Sequence, residues 1–296
     1  MRVTATFAET RAAARGITAL VPTMGFLHEG HLSLIEAARE RADTVVVSLF
    51  VNPLQFDQAA DLDRYPRDQA RDAALAEAAG GDLLFAPSPG EMYPTPPATR
   101  VSLPALSAEL EGPYRPGHLE GVAIVVAKLY AGLAPHLAFF GRKDAQQLAV
   151  VTRLAADLSF PVEVVGCPTV REQDGLALSS RNVFLPAGDR GAALSISRGL
   201  MAAADAAGAG ERAGAVLEGI VAGELAAAGL PAPDYVALAD AAAAVRIPVL
   251  DRPAFLAVAV RVGPVRLIDN VRLEPDGTAD RGRWLAGPSI LYTGGA

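Results

Sequence analysis

The segment DTVVVSLFV (43–51) is, after Asp43, a nearly continuous apolar, largely β-branched run. A strand with one wet face alternates apolar and polar residues, whereas a strand covered on both faces reads as a continuous apolar stretch and belongs to a parallel sheet. The surrounding sequence keeps the rhythm such a sheet needs. GITALVPT (16–23), GDLLFAP (81–87), HLAFFG (136–141) and PVEVVGC (161–167) read as further strands. HLSLIEAARERAD (31–43), the Ala-rich stretch 68–79, GVAIVVAKLYAGL (121–133) and residues 145–157 read as the helices between them. Strand and helix in alternation build right-handed βαβ units, so the expected fold class is α/β with a Rossmann-like doubly wound parallel sheet. From about Pro186 the pattern changes to Ala-rich helix as far as Ala228, followed by the strand-like YVALAD, FLAVAV and VRLIDN. The expected organisation is therefore a nucleotide-type domain over 1–175 and a smaller α+β domain over 176–296.

Charge narrows the range of partners. Acidic residues outnumber basic ones 33 to 26, for a formal net charge of −7, which argues against a nucleic-acid binder and for a small-molecule ligand. The single cysteine, Cys167, excludes an internal disulfide framework and fits a reducing cytosol. Glu9, Arg11 and Arg15 interrupt any signal-peptide pattern, and the most apolar stretch, GVAIVVAKLYAGLA, contains Lys128 and is too short to span a bilayer. A cytoplasmic protein with no membrane or nucleic-acid partner is expected.

In an open α/β sheet, ligands sit beyond the carboxyl ends of the strands, and VPTMGFLHEGHL (21–32) follows the first strand identified above. His28 and His31 are three residues apart at the entry to a helix, where main-chain N–H groups and the macrodipole favour an anion by about 0.3–1 kcal/mol. Gly25 and Gly30 let the backbone approach a phosphate closely. Far away in sequence, Ser179, Ser180 and Arg181 place two hydroxyls beside a guanidinium, a set suited to terminal phosphates and a departing pyrophosphate. The same serines could simply cap the next helical turn. Lysine usage adds a further pointer: of 26 basic residues only Lys128 and Lys143 are lysines, so each is a candidate for a position where a planar guanidinium does not fit, with mere compositional leakage as the alternative, more so for Lys128 than for Lys143. Asp144 can hold a metal through water or cap the following helix, and His118 and His136 read as structural.

These blocks also carry a family resemblance. PTMGFLHEGH (22–31), FVNPLQF (50–56), YPR (65–67), YRPGHLEGV (114–122), FFGRKDAQQL (139–148), TVREQDGLALSSRN (169–182) and RLIDN (266–270) resemble, in that order, the pantoate–β-alanine ligase family. The resemblance implies ATP-driven condensation of pantoate with β-alanine through a pantoyl-adenylate, releasing AMP and pyrophosphate, with Mg²⁺, in a cytoplasmic homodimer. By position it implies ATP at Met24, Gly25, Phe26, Leu27, His28, Glu29, Gly30 and His31, at Gly141, Arg142, Lys143 and Asp144, and at Val170, Leu178, Ser179, Ser180 and Arg181. His31 is implied as proton donor, with His28, Lys143 and Arg181 as the other catalytic residues. Gln55 and Gln147 are implied for pantoate, Gln55 also for β-alanine, with Asn52 and Arg115 lining that pocket. Two positions depart from the family's pattern: Arg142 stands where Glu is usual, and Leu178 where Met is common.

Two other functions share the HxGH spacing: a nucleotidyltransferase acting on a phosphorylated acceptor, and a non-catalytic nucleotide sensor. The Gln55 and Gln147 amides, which can align a carboxylate without adding charge, and a second domain able to act as a lid over a reactive acyl-adenylate favour the ligase.

Overall fold

The computed structural model describes residues 1–56, 62 and 65–292. The chain divides into two compact units, one of Met1–Pro104, Arg115–Gly141 and Val150–Cys167, the other of Ala105–Tyr114, Arg142–Ala149 and Pro168–Ala296. The long C-terminal segment of the second unit begins at Pro168, close to the boundary expected near residue 175, for a local reason. Val170 and Arg171 form strand β7, which pairs in parallel with Arg283 and Trp284 (β12) and so belongs with the C-terminal half of the chain. Segments 105–114 and 142–149 belong to the same unit, where Arg266 donates to Glu111 and Asn270 to the carbonyls of Arg142 and Lys143, and Gln146 ties the two segments to each other. Its side-chain nitrogen donates to Leu106 O (2.7 Å) and Glu109 O (2.9 Å), and its oxygen accepts from Glu111 N (2.9 Å).

The first unit is built on six parallel strands in the order β1-β4-β3-β2-β5-β6, namely Arg2–Thr4, Leu83–Phe85, Thr44–Leu49, Thr18–Thr23, Leu137–Gly141 and Glu163–Cys167. Val45, Val46 and Val47 of β3 and Ala19, Leu20 and Val21 of β2 are all at most 1% exposed, which is the two-sided burial the nearly continuous apolar run requires. From β2 the chain winds outward through β3 and β4, then returns to lay β5 on the other side of β2. The strand order therefore reverses between β2 and β5, and the crevice at their carboxyl ends is where such sheets take ligands. The three-residue β1 and helix α1 (Phe7–Ala13) carry too little periodicity to be read from sequence.

Helix α2 runs Glu29–Arg39 and begins two residues earlier than the apolar pattern indicates. His28 is its N-cap, with the ring Nδ1 accepting from Gly30 N at 3.2 Å. Imidazole does here what Ser, Thr, Asp or Asn usually does, so the ordinary start signal is missing from the sequence. Helices α3 (Gln69–Ala78) and α6 (His118–Leu133) also belong to this unit; the short α4 (Pro89–Met92) precedes α6 in the chain, as does α5 (Glu111–Tyr114) of the second unit. Helix α7 (Ala145–Asp157) is shared between the units at Ala149.

The second unit carries a four-stranded sheet in the order β11-β10-β9-β8, in which Ala254–Val262 (β9) pairs antiparallel with Val265–Leu273 (β10) and with Tyr235–Asp240 (β8), and Ala279–Asp280 (β11) pairs antiparallel with β10. Helices α8 (Arg190–Gly208) and α9 (Gly214–Ala227) supply the other half of its core, where Ile196, Leu200, Leu217 and Val221 lie with Leu256, Val258 and Leu273. A buried ion pair joins β7 to β10. The fully buried Arg171 guanidinium donates to both carboxylate oxygens of Asp269, at 2.6 and 3.1 Å, and also to the carbonyls of Gly175, Asn270 and Arg281. Removing one partner of such a pair strands the other charge without water. Arg171→Leu is accordingly expected to lower the unfolding free energy by about 3–5 kcal/mol in urea titration, more than Arg171→Leu combined with Asp269→Leu.

Candidate active site

Beyond Thr23, the last residue of β2, the chain turns sharply through Gly25 (φ +91°) and Phe26 (φ +53°). A Cβ on Gly25 would fall 2.8 Å from the Leu49 side chain and 3.0 Å from Asp72 Oδ2, so glycine is required on space as well as on φ. Asp72, in α3 and 1% exposed, holds this turn by accepting from Phe26 N at 2.8 Å and Leu27 N at 2.7 Å. Burial pushes its carboxyl above the ordinary range, and those two N–H groups pull it back. Next to it, Arg71 donates to Leu27 O (3.0 Å) and stacks over the Phe26 ring at 5.1 Å.

The turn delivers the two histidines. Their ring centroids are 4.1 Å apart. His28 Nδ1 accepts from Gly30 N, and His31 Nδ1 accepts from His28 N at 3.4 Å. With both Nδ1 atoms serving as acceptors, each neutral ring carries its proton on Nε2, so both imidazoles are set as Nε2–H donors at a helix N-terminus. Met24 and Gly25 also line a cavity of about 380 Å³ with Leu49, Phe50, Pro53 and Asp72, where β2 and β3 end. That size suits a small organic substrate.

Gln55 ends a single 3₁₀ turn, Pro53–Gln55, and is held from three sides. Its side-chain oxygen accepts from Asn52 Nδ2 at 3.0 Å, and Asn52 Oδ1 accepts from the Tyr93 hydroxyl at 2.9 Å. Its main-chain oxygen lies 3.0 Å from His118 Nδ1, while His118 Nε2 lies 3.0 Å from Arg115 Nη1. A guanidinium only donates, so His118 must accept at Nε2 and donate from Nδ1. His118 and His136, whose Nδ1 accepts from Thr18 N, are thus bonded to the fold. Helix α6 approaches so closely that a Cβ on Gly121 would lie 2.1 Å from Leu54 O.

The remaining residues of interest lie in the second unit, apart from Gly141 at the end of β5. Lys143, Ser179 and Arg181 meet around a cavity of about 20 Å³, with Arg266 and Asp269 in its wall. Asn270 fixes the turn that carries Lys143, its side-chain nitrogen donating to Arg142 O (2.9 Å) and Lys143 O (2.7 Å). Arg266 is committed to Glu111 and Asp234. Ser179 caps the turn Ser180–Phe184 by accepting from Arg181 N at 3.3 Å, so the capping role is real. Val170 and Leu178 are buried and joined through Leu178 N to Val170 O. Arg142 turns its guanidinium to Asp280. Gln147 is half-buried. Asp144 stands 3.9 Å from Lys143 Nζ, and no cluster of three or more His, Cys, Asp or Glu that could hold a metal occurs among the described residues.

Comparison with known proteins follows the same lines. A sequence model of the pantoate–β-alanine ligase family matches residues 2–272. The chain belongs to that family. Its activity is the ligation of pantoate to β-alanine. Pantothenate synthetases of Roseiflexus sp. (strain RS-1), 50% identical over 93% of this chain and 100% of their own length, and of Rhizorhabdus wittichii, 52% identical over 87% and 91%, are relatives. The crystal structure of pantothenate synthetase from Thermus thermophilus superposes with a TM-score of 0.86 at 49% identity, covering 93% of this chain and 99% of that one. The ligase from Francisella tularensis, in complex with β-γ ATP and β-alanine, gives a TM-score of 0.73 at 30% identity, covering 91% and 97%.

Four residues around the candidate site receive no role from the sequence: Asp72 and Tyr93, and Gly121 and Asn270, which lie in the YRPGHLEGV and RLIDN blocks without being singled out there. Asp72 sits in an ordinary Ala-rich helix, and only the contact across 46 positions to Phe26 exposes its role. Asp72→Ala leaves the buried Leu27 N–H and the half-buried Phe26 N–H without an acceptor. It is expected to cost about 1–3 kcal/mol in urea unfolding and to cut ATP–pyrophosphate exchange far more than the folded fraction falls.

Proposed function

We propose that the chain performs its ligation in two chemical steps. In the first, a pantoate carboxylate oxygen bonds to the α-phosphorus of ATP as the bond to the β-phosphate oxygen breaks, giving pantoyl-adenylate and pyrophosphate. In the second, the β-alanine amine attacks the acyl carbon, AMP departs with the bonding electron pair, the nitrogen loses a proton and the amide forms.

The observation that carries this reading is the pair of imidazoles at the start of α2, rings 4.1 Å apart, whose Nδ1 atoms accept from main-chain N–H groups and so set Nε2 as the donor in each neutral ring. Negative charge grows on the phosphate oxygens as the carboxylate attacks, and fixed donors aimed at it lower the barrier; losing one typically costs about 10²–10³ in rate. His31 is assigned as proton donor, with His28 beside it. Lys143 and Arg181 supply positive charge for the leaving pyrophosphate, with Ser179 and Ser180 as hydroxyl partners. Gln55 and Gln147 align pantoate, with Asn52 and Arg115 shaping that pocket. Met24 through His31, Gly141 through Asp144, Val170 and Leu178 are assigned to ATP. Arg142 contributes there through its main chain, since its side chain is engaged with Asp280.

Mg²⁺ is proposed to arrive on the ATP phosphates, because Asp144 alone is not a donor set and this ion keeps most of its ligands as water and phosphate. We extend the reading to a cytoplasmic homodimer. Among the described residues no helix is long and apolar enough to cross a membrane.

The experiment is isotope exchange between ATP and pyrophosphate with single acids. Pantoate alone is expected to support exchange and β-alanine alone none; exchange that needs both acids would overturn the two-step order. Lys143 gives a second test, since it is one of only two lysines among 26 basic residues. A guanidinium is wider than an ammonium, so Lys143→Arg is expected to lose most adenylation activity, to within about tenfold of Lys143→Ala. Near-normal kcat for Lys143→Arg would mean that charge alone suffices.

A further inference from the structure

Every hydrogen-bonding valence of Asn52 is accounted for. The residue is fully buried; Oδ1 accepts from Leu54 N at 3.3 Å and from the Tyr93 hydroxyl at 2.9 Å. Nδ2 donates to Gly121 O and to Gln55 Oε1, both at 3.0 Å. Two of these partners are main-chain groups whose polarity cannot change. Turned over, the amide would set its NH₂ against the Leu54 N–H and its oxygen against the Gly121 carbonyl, so only one orientation is satisfied.

That choice passes on to the next side chain. The second Asn52 Nδ2 proton needs an acceptor, which obliges Gln55 to present Oε1 to Asn52 and leaves Nε2 as the group it offers a ligand. Among the described residues, none accepts from Gln55 Nε2. The backbone of Gln55 is pinned independently by His118 at its carbonyl, so the side chain cannot reverse by moving its Cα. Tyr93 closes the other end of the chain of bonds. Burial pushes its hydroxyl up to about 12, which keeps it a donor at neutral pH, and Lys128 Nζ stands 5.8 Å from the centre of its ring.

We propose that Tyr93 and Asn52 are positioning residues that fix the polarity of Gln55, so that Gln55 meets its ligand as a donor and selects a carboxylate oxygen. The inference rests on the ligase reading both for the identity of that ligand, pantoate, and for Gln55 as a residue that meets it. A site whose donors are fixed discriminates strongly against a ligand that leaves them unpaired. The assignment makes Gln55→Glu, nearly isosteric, worse than Gln55→Ala, because the new Oε2 would face the substrate carboxylate.

The test compares KM for pantoate in ATP–pyrophosphate exchange. Gln55→Glu is expected to raise it at least tenfold above the Gln55→Ala value, with KM for ATP unchanged and partial recovery as the pH falls toward the titration of the new carboxyl. Asn52→Asp, which obliges Gln55 to turn over, is expected to raise it by about ten- to a hundredfold, and Tyr93→Phe by less. Gln55→Glu binding pantoate as well as wild type, or better than Gln55→Ala, would overturn the proposal. Should wild type show no pantoate-dependent exchange, it is the ligase reading that falls. The polarity is then decided by neutron diffraction from deuterium-exchanged crystals: deuterons on the Asn52 atom facing Gln55 support it, and deuterons on the Gln55 atom facing Asn52 refute it.

Discussion

Wherever a strand of a buried parallel sheet stops, the chain carries N–H and C=O groups into a region that water does not reach, and each needs a partner. In this protein side chains from distant segments supply many of them. Asp72 accepts from the turn after β2, Asn52 bridges Leu54 and Gly121, and Asn270 holds two carbonyls of the turn carrying Lys143. Gln146 and Arg171 do the same around segments 105–111 and 170–175. The residues proposed to react are thus placed by groups whose first task is to satisfy the backbone.

This division explains what is legible in the sequence. Five of the six strands of the first sheet can be read because burial leaves a nearly continuous apolar run, as in Thr44–Leu49, and the histidine pair because its spacing is unusual. Leu178 and Val170 can be named only through a family resemblance; nothing in their local pattern separates them from core residues, and both are buried. The start of α2 is hidden because an imidazole performs the cap, and the cut between the units because two residues of β7 pair with a strand more than a hundred positions later.

Asp72, Asn52 and Asn270 share a further property. Each is a short, stiff side chain with two or more main-chain partners, so it fixes both the position and the direction of what it holds. Lysine and arginine, which meet phosphates in the proposed chemistry, are long and adaptable, and depend on such anchors for precision. His28 unites both roles by capping α2 through Nδ1 while its other nitrogen remains the donor.

The engagement of Arg142 with Asp280 ties two positions 138 residues apart into one mutational unit. Replacing Arg142 by glutamate alone would set two carboxylates against each other, and changing Asp280 alone to a base would oppose two cations. Exchange of the signs is balanced only when both have changed, so the two sites are epistatic, and whichever substitution comes first sets which intermediate a lineage must tolerate.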